Sequence, residues 1–162
     1  MKIGIGADKY GFELKEAVKK HLQDKEIEVV DHGINNSEGE SAYYNIASEV
    51  AGKVSSGEYE KAILVCGTGM GMAIIANKHP GVYAAVCENS KAAEKSRSIN
   101  DSNVLTLGGL VTSPENAKEI VETWLSTEFT QGWDESIVDW LKNSKNEIRE
   151  VEATQFKKQG EK

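Results

Sequence analysis

Cysteine is scarce in this chain of 162 residues, and its two copies, Cys66 and Cys87, form neither a Cys-x-x-Cys pair nor a metal-ligand spacing. No disulfide framework or zinc cluster is therefore expected to organise the fold, and no metal is expected in its chemistry. Reduced thiols suit a cytoplasmic protein. Positive charge is also in deficit. Against 26 Asp and Glu stand 19 Lys and Arg, a formal net charge of -7, which argues against nucleic acid or an anionic membrane as the main partner. No run approaches the length of a membrane span, and Met1 leads straight into Ile3-Gly4-Ile5-Gly6 without the pattern of a signal peptide. Internal repeats and low-complexity stretches are lacking too. The first turn, Gly4-Ile5-Gly6-Ala7-Asp8-Lys9, falls short of Gly-x-Gly-x-x-Gly, and no loop ends in Gly-Lys-Ser/Thr, so the case for a dinucleotide or nucleoside triphosphate is weak. No cofactor is implied.

What is present is a hydrophobic content of 39%, enough for one substantial core, arranged as apolar runs alternating with amphipathic stretches. The pattern predicts strands near residues 2–6, 28–31, 62–66, 83–86 and 104–107. It predicts helices near 12–25, 44–55, 70–78, 91–98 and 114–126, the last capped by Ser113 with Pro114 at its first position. Strand alternating with helix means a parallel sheet covered on both faces, an α/β architecture of three layers, αβα, with five strands. Ligands of such sheets bind beyond the carboxyl ends of the strands. Three of those ends carry unusual residues: Gly6-Ala7-Asp8-Lys9-Tyr10-Gly11, Cys66-Gly67-Thr68-Gly69-Met70-Gly71 and Leu107-Gly108-Gly109.

The second of these is the most informative. A thiol and a hydroxyl stand two residues apart in a glycine loop, between an apolar strand and an apolar helix. Glycines allow a sharp turn and close approach of a ligand to backbone N–H groups. The start of a helix favours negative charge, whether a thiolate or a developing oxyanion. Buried packing is the alternative use of Cys66; its glycine surroundings weigh against that, whereas Cys87 in Ala84-Ala85-Val86-Cys87 reads as core. Helix capping is the alternative use of Thr68 and Asp8, and packing that of Tyr43 and Tyr44. His21 reads as a surface residue of an amphipathic helix, and His32 and His79 as structural residues on connections.

Beyond residue 130 the pattern changes. Ile137, Leu141, Ser144, Ile148 and Val151 repeat every three or four residues, which suits an extended C-terminal helix docking on a neighbour. Its end, residues 157–162, is expected to fray. The organisation expected is therefore a domain over residues 1–130 and a helical tail over 131–162 that docks on a partner subunit.

Four spaced motifs, Gly6-Ala7-Asp8-x-x-Gly11-Phe12-x-Leu14-Lys15, Cys66-Gly67-Thr68-Gly69-x-Gly71, Ala76-Asn77-Lys78 and Asn103-Val104-Leu105, resemble the ribose-5-phosphate isomerase B / galactose-6-phosphate isomerase family. The resemblance implies a Rossmann-like fold, at least a dimer with active sites between subunits, and metal-free interconversion of aldose and ketose phosphates. It implies Cys66 as the base, Thr68 and the amides of Gly67, Gly69 and Gly71 as donors to the enediolate oxygen, and Asp8 orienting sugar hydroxyls. Lys9, Tyr43 and Asn100 would contact substrate. It also exposes departures. Where the family commonly has a ring-opening histidine this chain has Ile99, and where it has phosphate-binding arginines the chain has Leu110, Trp133 and Ile137. The subunit of galactose-6-phosphate isomerase that keeps the Cys-Gly-Thr-Gly loop is similar in these respects, which raises a partnership with a paralogous subunit. A homo-oligomer holding its anion through Lys9, a non-catalytic paralogue, and a sugar- or nucleotide-binding module are the alternatives.

Overall fold

The apolar runs become five strands whose alternation sorts side chains onto two faces. The computed structural model describes residues 2–36, 39 and 41–160, except the side chains of 158–160. The strands are β1 (Lys2–Ala7), β2 (Glu28–Asp31), β3 (Lys61–Cys66), β4 (Ala84–Val86) and β5 (Val104–Gly108). All pair in parallel, in the order β2-β1-β3-β5-β4. The helices are α1 (Phe12–Asp24), α2 (Tyr43–Ser55), α3 (Met70–Ala76), α4 (Ser90–Ser98), α5 (Pro114–Ser126) and α6 (Glu135–Gly160). This is the three-layer α/β fold the alternation implies.

Ile3 and Ile5 of β1, Ile63 and Val65 of β3, and Leu105 and Leu107 of β5 turn to one face, where they meet Leu14 and Val18 of α1, Ala93 of α4 and Ile120 and Trp124 of α5. Ala62, Leu64 and Cys66 turn to the other, against Ile46 and Val50 of α2 and Met72 of α3. Each of the fully buried Leu and Ile side chains contributes about 1.5–3 kcal/mol by leaving water. A buried ion pair lies at the edge of this core. Lys15, with no exposed surface, bonds Asp31 through both carboxylate oxygens at 3.0 and 2.8 Å and the Ile34 carbonyl at 2.9 Å.

Boundaries differ from expectation where side chains intervene. Helix α3 stops at Ala76 because the Asn77 side chain pairs with both backbone groups of Ala84, across to β4. Strand β4 begins at Ala84 because the Tyr83 N–H is taken by Asn103 Oδ1 at 2.8 Å. The Ser113 cap is present, its hydroxyl accepting from Asn116 N–H. Cys87 is core, and burial pushes its thiol up. His21 is not a solvated histidine: its side chain is 18% exposed and faces Glu122 of α5 at 2.9 Å. His32 and His79 do hold structure, His32 between Glu49 and Tyr59, His79 against Ser48.

Helix α6 passes the amino ends of β4 and β5. Leu141 is buried, Lys145 pairs with Asp101, and Glu152 accepts the Gly81 N–H at 2.7 Å. The seam expected to face a neighbour is thus divided. Leu141 packs on its own domain, while Ile148 and Val151 are exposed, as is Trp140 beside them. The helix continues to Gly160; Glu161 and Lys162, part of the stretch expected to fray, lie outside the described residues. No described helix is long and apolar enough to cross a membrane.

Candidate active site

At the carboxyl ends of β1, β3 and β5 three turns are tied together by their backbones. Asp8 N–H donates to the Val65 carbonyl at 3.3 Å, Gly109 N–H to the Cys66 carbonyl at 2.8 Å, and Leu110 N–H to the Gly67 carbonyl at 2.9 Å. The Cys66 loop therefore sits between the Asp8 turn and the Gly109 turn. Gly69 turns the chain into α3 at φ +78°, where a side chain would be strained and its Cβ would stand 3.0 Å from the Leu107 backbone. This turn aims the Gly69 N–H at Cys66 Sγ, 3.2 Å away. An amide donor on sulfur suits a thiolate, and Cys66 is only 6% exposed, so the sulfur lies just beneath the surface of the loop.

The other expected residues of this end come together around it. Asp8 is 7% exposed, and its Oδ1 accepts from Tyr10 N–H at 2.9 Å and Gly11 N–H at 3.1 Å. Capping and ligand binding are therefore not exclusive: Oδ1 caps the turn before α1, and Oδ2 has no hydrogen bond among the described residues. Thr68 is exposed, and its hydroxyl accepts from Met70 N–H at 3.4 Å, a long bond that leaves the hydroxyl hydrogen for another acceptor. The Tyr43 ring lies on the first turn of α3, so close that a Cβ on Gly71 would stand 2.7 Å from it. Packing explains that contact, and the ring also borders a cavity of about 370 Å³ shared with Asp8, Lys9 and Ser41. Lys9 is exposed, its ammonium 5.1 Å from the Tyr10 ring centroid. Gly67 lies under Leu110, whose Cδ1 would be 3.2 Å from an added Cβ.

Asn100 is not among them. Helix α4 runs back along the sheet, so Ile99 and Asn100 emerge at the amino end of β5, one strand length from Cys66. Trp133 and Ile137 lie on the same side: Thr130 N–H donates to the Ser98 carbonyl at 2.9 Å, and Trp133 N–H to the Thr130 carbonyl at 3.3 Å. A cavity of about 480 Å³ is also at this end, between α6 and the residues preceding β3, β4 and β5. It is far from the thiol. The positions of two neighbours over the loop are not legible in sequence. Tyr10 and Leu110 both reach over Gly67; the only signal was an apolar or aromatic residue next to a strand-end glycine. Among the described residues no group of three or more His, Cys, Asp and Glu is placed to hold a metal ion.

A thiol with an amide donor, a half-free carboxylate and a hydroxyl, all at strand ends of a doubly covered parallel sheet, form a set of groups that can support proton transfer on a small polyol. The chain belongs to the ribose/galactose isomerase family, whose model matches residues 3–141. It is 47% identical over 158 residues, 98% of this chain and 99% of the relative, to the 4-deoxy-4-sulfo-D-erythrose isomerase of Clostridium sp. (strain MSTE9). It is 42% identical over 141 residues to the ribose-5-P isomerase B of Listeria innocua, covering 87% of this chain and 95% of that one. The solved structure of Clostridium thermocellum ribose-5-phosphate isomerase B superposes with a TM-score of 0.87 at 41% identity, covering 96% and 99% of the two chains. The protein is an aldose–ketose isomerase of the ribose-5-phosphate isomerase B type, an enzyme class that acts on sugar phosphates.

Proposed function

We propose that this isomerase acts on an open-chain four-carbon sugar whose C4 carries an oxyanion, a sulfonate in the first instance, with Cys66 as the base. One observation carries the reading: the group at the ring-opening position is Ile99, which cannot transfer a proton. A pentose or hexose phosphate spends most of its time as a ring and needs acid–base help to open. A tetrose closes a five-membered ring only through O4. When C4 bears a sulfonate, or O4 is esterified, no such ring forms and the histidine has no task. The relative matched over 98% of this chain is named for a substrate of that kind.

The chemistry is then short. The Cys66 thiolate takes the proton from C2 of the aldose, and electrons flow to O1, giving an enediolate. The thiol returns a proton to C1 while the O2 proton passes to O1, and the ketose results without net oxidation or reduction. Gly69 N–H holds the sulfur, Thr68 and the loop amides donate to the developing oxyanion, and the free Oδ2 of Asp8 accepts a sugar hydroxyl. Tyr43 and Lys9 border the cavity from the same chain. Asn100 contributes from a second copy, because its own Cys66 is a strand length away.

Isomerisation followed by proton NMR in D2O tests this. 4-Deoxy-4-sulfo-D-erythrose should turn over with deuterium entering the ketose at C1, and D-ribose 5-phosphate should be a poorer substrate. The reverse order of kcat/KM would refute the open-chain reading. Failure of the purified chain on every sugar, relieved by adding a paralogous subunit, would favour the two-subunit galactose-6-phosphate type, which accounts for the missing arginines by supplying them from elsewhere.

A further inference from the structure

The departures at Leu110, Trp133 and Ile137 leave an acidic substrate without its expected cations. The chain has only two arginines, Arg97 and Arg149. Arg97 is 5% exposed and committed to its own fold: it donates to the Thr127 carbonyl at 3.2 Å, the Ser102 carbonyl at 2.7 Å and Asp101 at 2.7 Å. Arg149 belongs to the cavity beneath α6, with Glu152 beside it. With Arg97 committed and Arg149 set in that cavity, the lysines are the other cations that could meet the substrate's terminal group.

The surface around Ile99 presents one in a defined place. Lys95 stands one helical turn before Ile99, on the same face of α4. Its ammonium sits 4.6 Å from the centroid of the Trp133 ring, and it shares Glu94 with Lys91 at 3.0 Å. Trp133 occupies a position where the resemblance calls for arginine. Its Nε1–H is buried with no acceptor among the described residues, so packing and the cation hold the ring rather than a hydrogen bond. The 130–133 turn that carries it is pinned to the end of α4 by the Thr130–Ser98 bond. An arginine of a phosphate clamp has thus become an aromatic platform that stations a lysine from the neighbouring helix.

We propose that Lys95, stationed on Trp133, grips the terminal oxyanion of substrate bound at the Cys66 loop of a second copy of the chain. The proposal rests on the shared-site, four-carbon reading above. A lysine offers one compact charge with three donors, where arginines offer planar forks that match a phosphate in pairs. A sulfonate carries a single negative charge, whereas a phosphate ester carries about 1.5 to 2 at neutral pH. One point charge therefore balances the first and under-neutralises the second. Trp133 is a positioning residue in this scheme, since it acts only through Lys95.

Kinetics on paired substrates test it: 4-deoxy-4-sulfo-D-erythrose and its neutral analogue 4-deoxy-D-erythrose. In Lys95→Met the preference for the sulfonate, as a ratio of kcat/KM values, should fall about tenfold to a hundredfold, mostly through KM. Lys95→Arg should recover most of it. Trp133→Leu should give a smaller loss of the same ratio. An unchanged ratio in Lys95→Met, or an equal fall on both substrates, would overturn the assignment. Mixing Cys66→Ala with Lys95→Met protein should raise kcat/KM on the sulfonate well above the mean of the two variants assayed separately, because hybrids carry one intact site; a value no higher than that mean would overturn the placement across copies. If the wild-type protein fails on the sulfonate while turning over another sugar, the four-carbon reading itself falls and Lys95 with it. Normal wild-type turnover with an unaffected Lys95→Met variant removes Lys95 alone.

Discussion

The two ends of the sheet have been treated differently. At the carboxyl ends, the Asp8, Cys66 and Gly109 turns lock together through backbone bonds and glycines, and a thiol, a carboxylate and a hydroxyl stand together on them. At the amino ends, Ile99, Trp133 and Ile137 stand where the family resemblance implies proton-transferring and anion-binding side chains, and α6 lies across a charged cavity. The first end has little room to vary, since a Cβ on Gly69 or Gly71 would strike backbone or the Tyr43 ring. The second end is side chains on helix termini, exchangeable without rebuilding the backbone. On the function proposed above, proton chemistry is kept at one end and the choice of sugar is made at the other.

The largest test of this division falls on the chemistry. Cys66→Ala should lower kcat by about 10²–10⁴-fold on any accepted sugar, the range of a lost general base, and leave the fold intact. Circular dichroism and melting would check the fold, and a variant retaining wild-type turnover would take Cys66 out of the mechanism. Gly71→Ala should cost less, about tenfold in kcat/KM. The added methyl meets the Tyr43 ring at 2.7 Å, and a displacement approaching 1 Å beside the chemistry costs up to about a hundredfold. The double change Gly71→Ala with Tyr43→Ala should relieve the clash, so a loss confined to the ring's displacement would not deepen in the double variant. Ile99→His tests the other end. It should leave kcat/KM on the open-chain tetrose within about twofold and raise it on D-ribose 5-phosphate, where ring opening is needed. A fall on both would show that Ile99 packs rather than selects.

How much of this is legible in sequence follows the same division. Glycine spacing announces the Cys66 loop and the Asp8 turn because backbone approach forbids anything else there, and the apolar alternation announces five parallel strands. What sequence does not announce is contact between elements distant along the chain. That α6 packs Leu141 on its own domain, that Glu122 meets His21 across two helices, and that Lys95 rests on Trp133 depend on three-dimensional neighbours with no periodic signature. The Lys15–Asp31 pair belongs with these. Lys15 is read in sequence only as part of a motif, yet among the described residues it is the most buried charge, and it holds the Ile34 carbonyl beside the Asp8 end.

That pair yields the smallest expected effect, one on stability rather than turnover. Burial works against ionisation of Asp31, but hydrogen bonds from the Lys15 and Lys19 ammonium groups and from Gly33 N–H outweigh it and hold the carboxyl below its ordinary value. A carboxylate depressed in the folded state contributes stability that is fully present above its unfolded pKa, about 3.9, and is lost as pH falls through the lower folded value. The protein should therefore hold its melting temperature from neutrality down to about pH 4 as far as this group is concerned, and lose stability below it. Asp31→Asn removes the titration and leaves Lys15 buried beside a neutral amide. It should destabilise by about 3 kcal/mol at pH 7, the scale of breaking a buried pair, and the gap to wild type should narrow below pH 4. Urea unfolding at pH 7 and pH 3 reads both quantities. A gap that stays constant with pH would mean that Asp31 acts by shape and hydrogen bonding to Gly33, and that its charge does not hold this edge of the site in place.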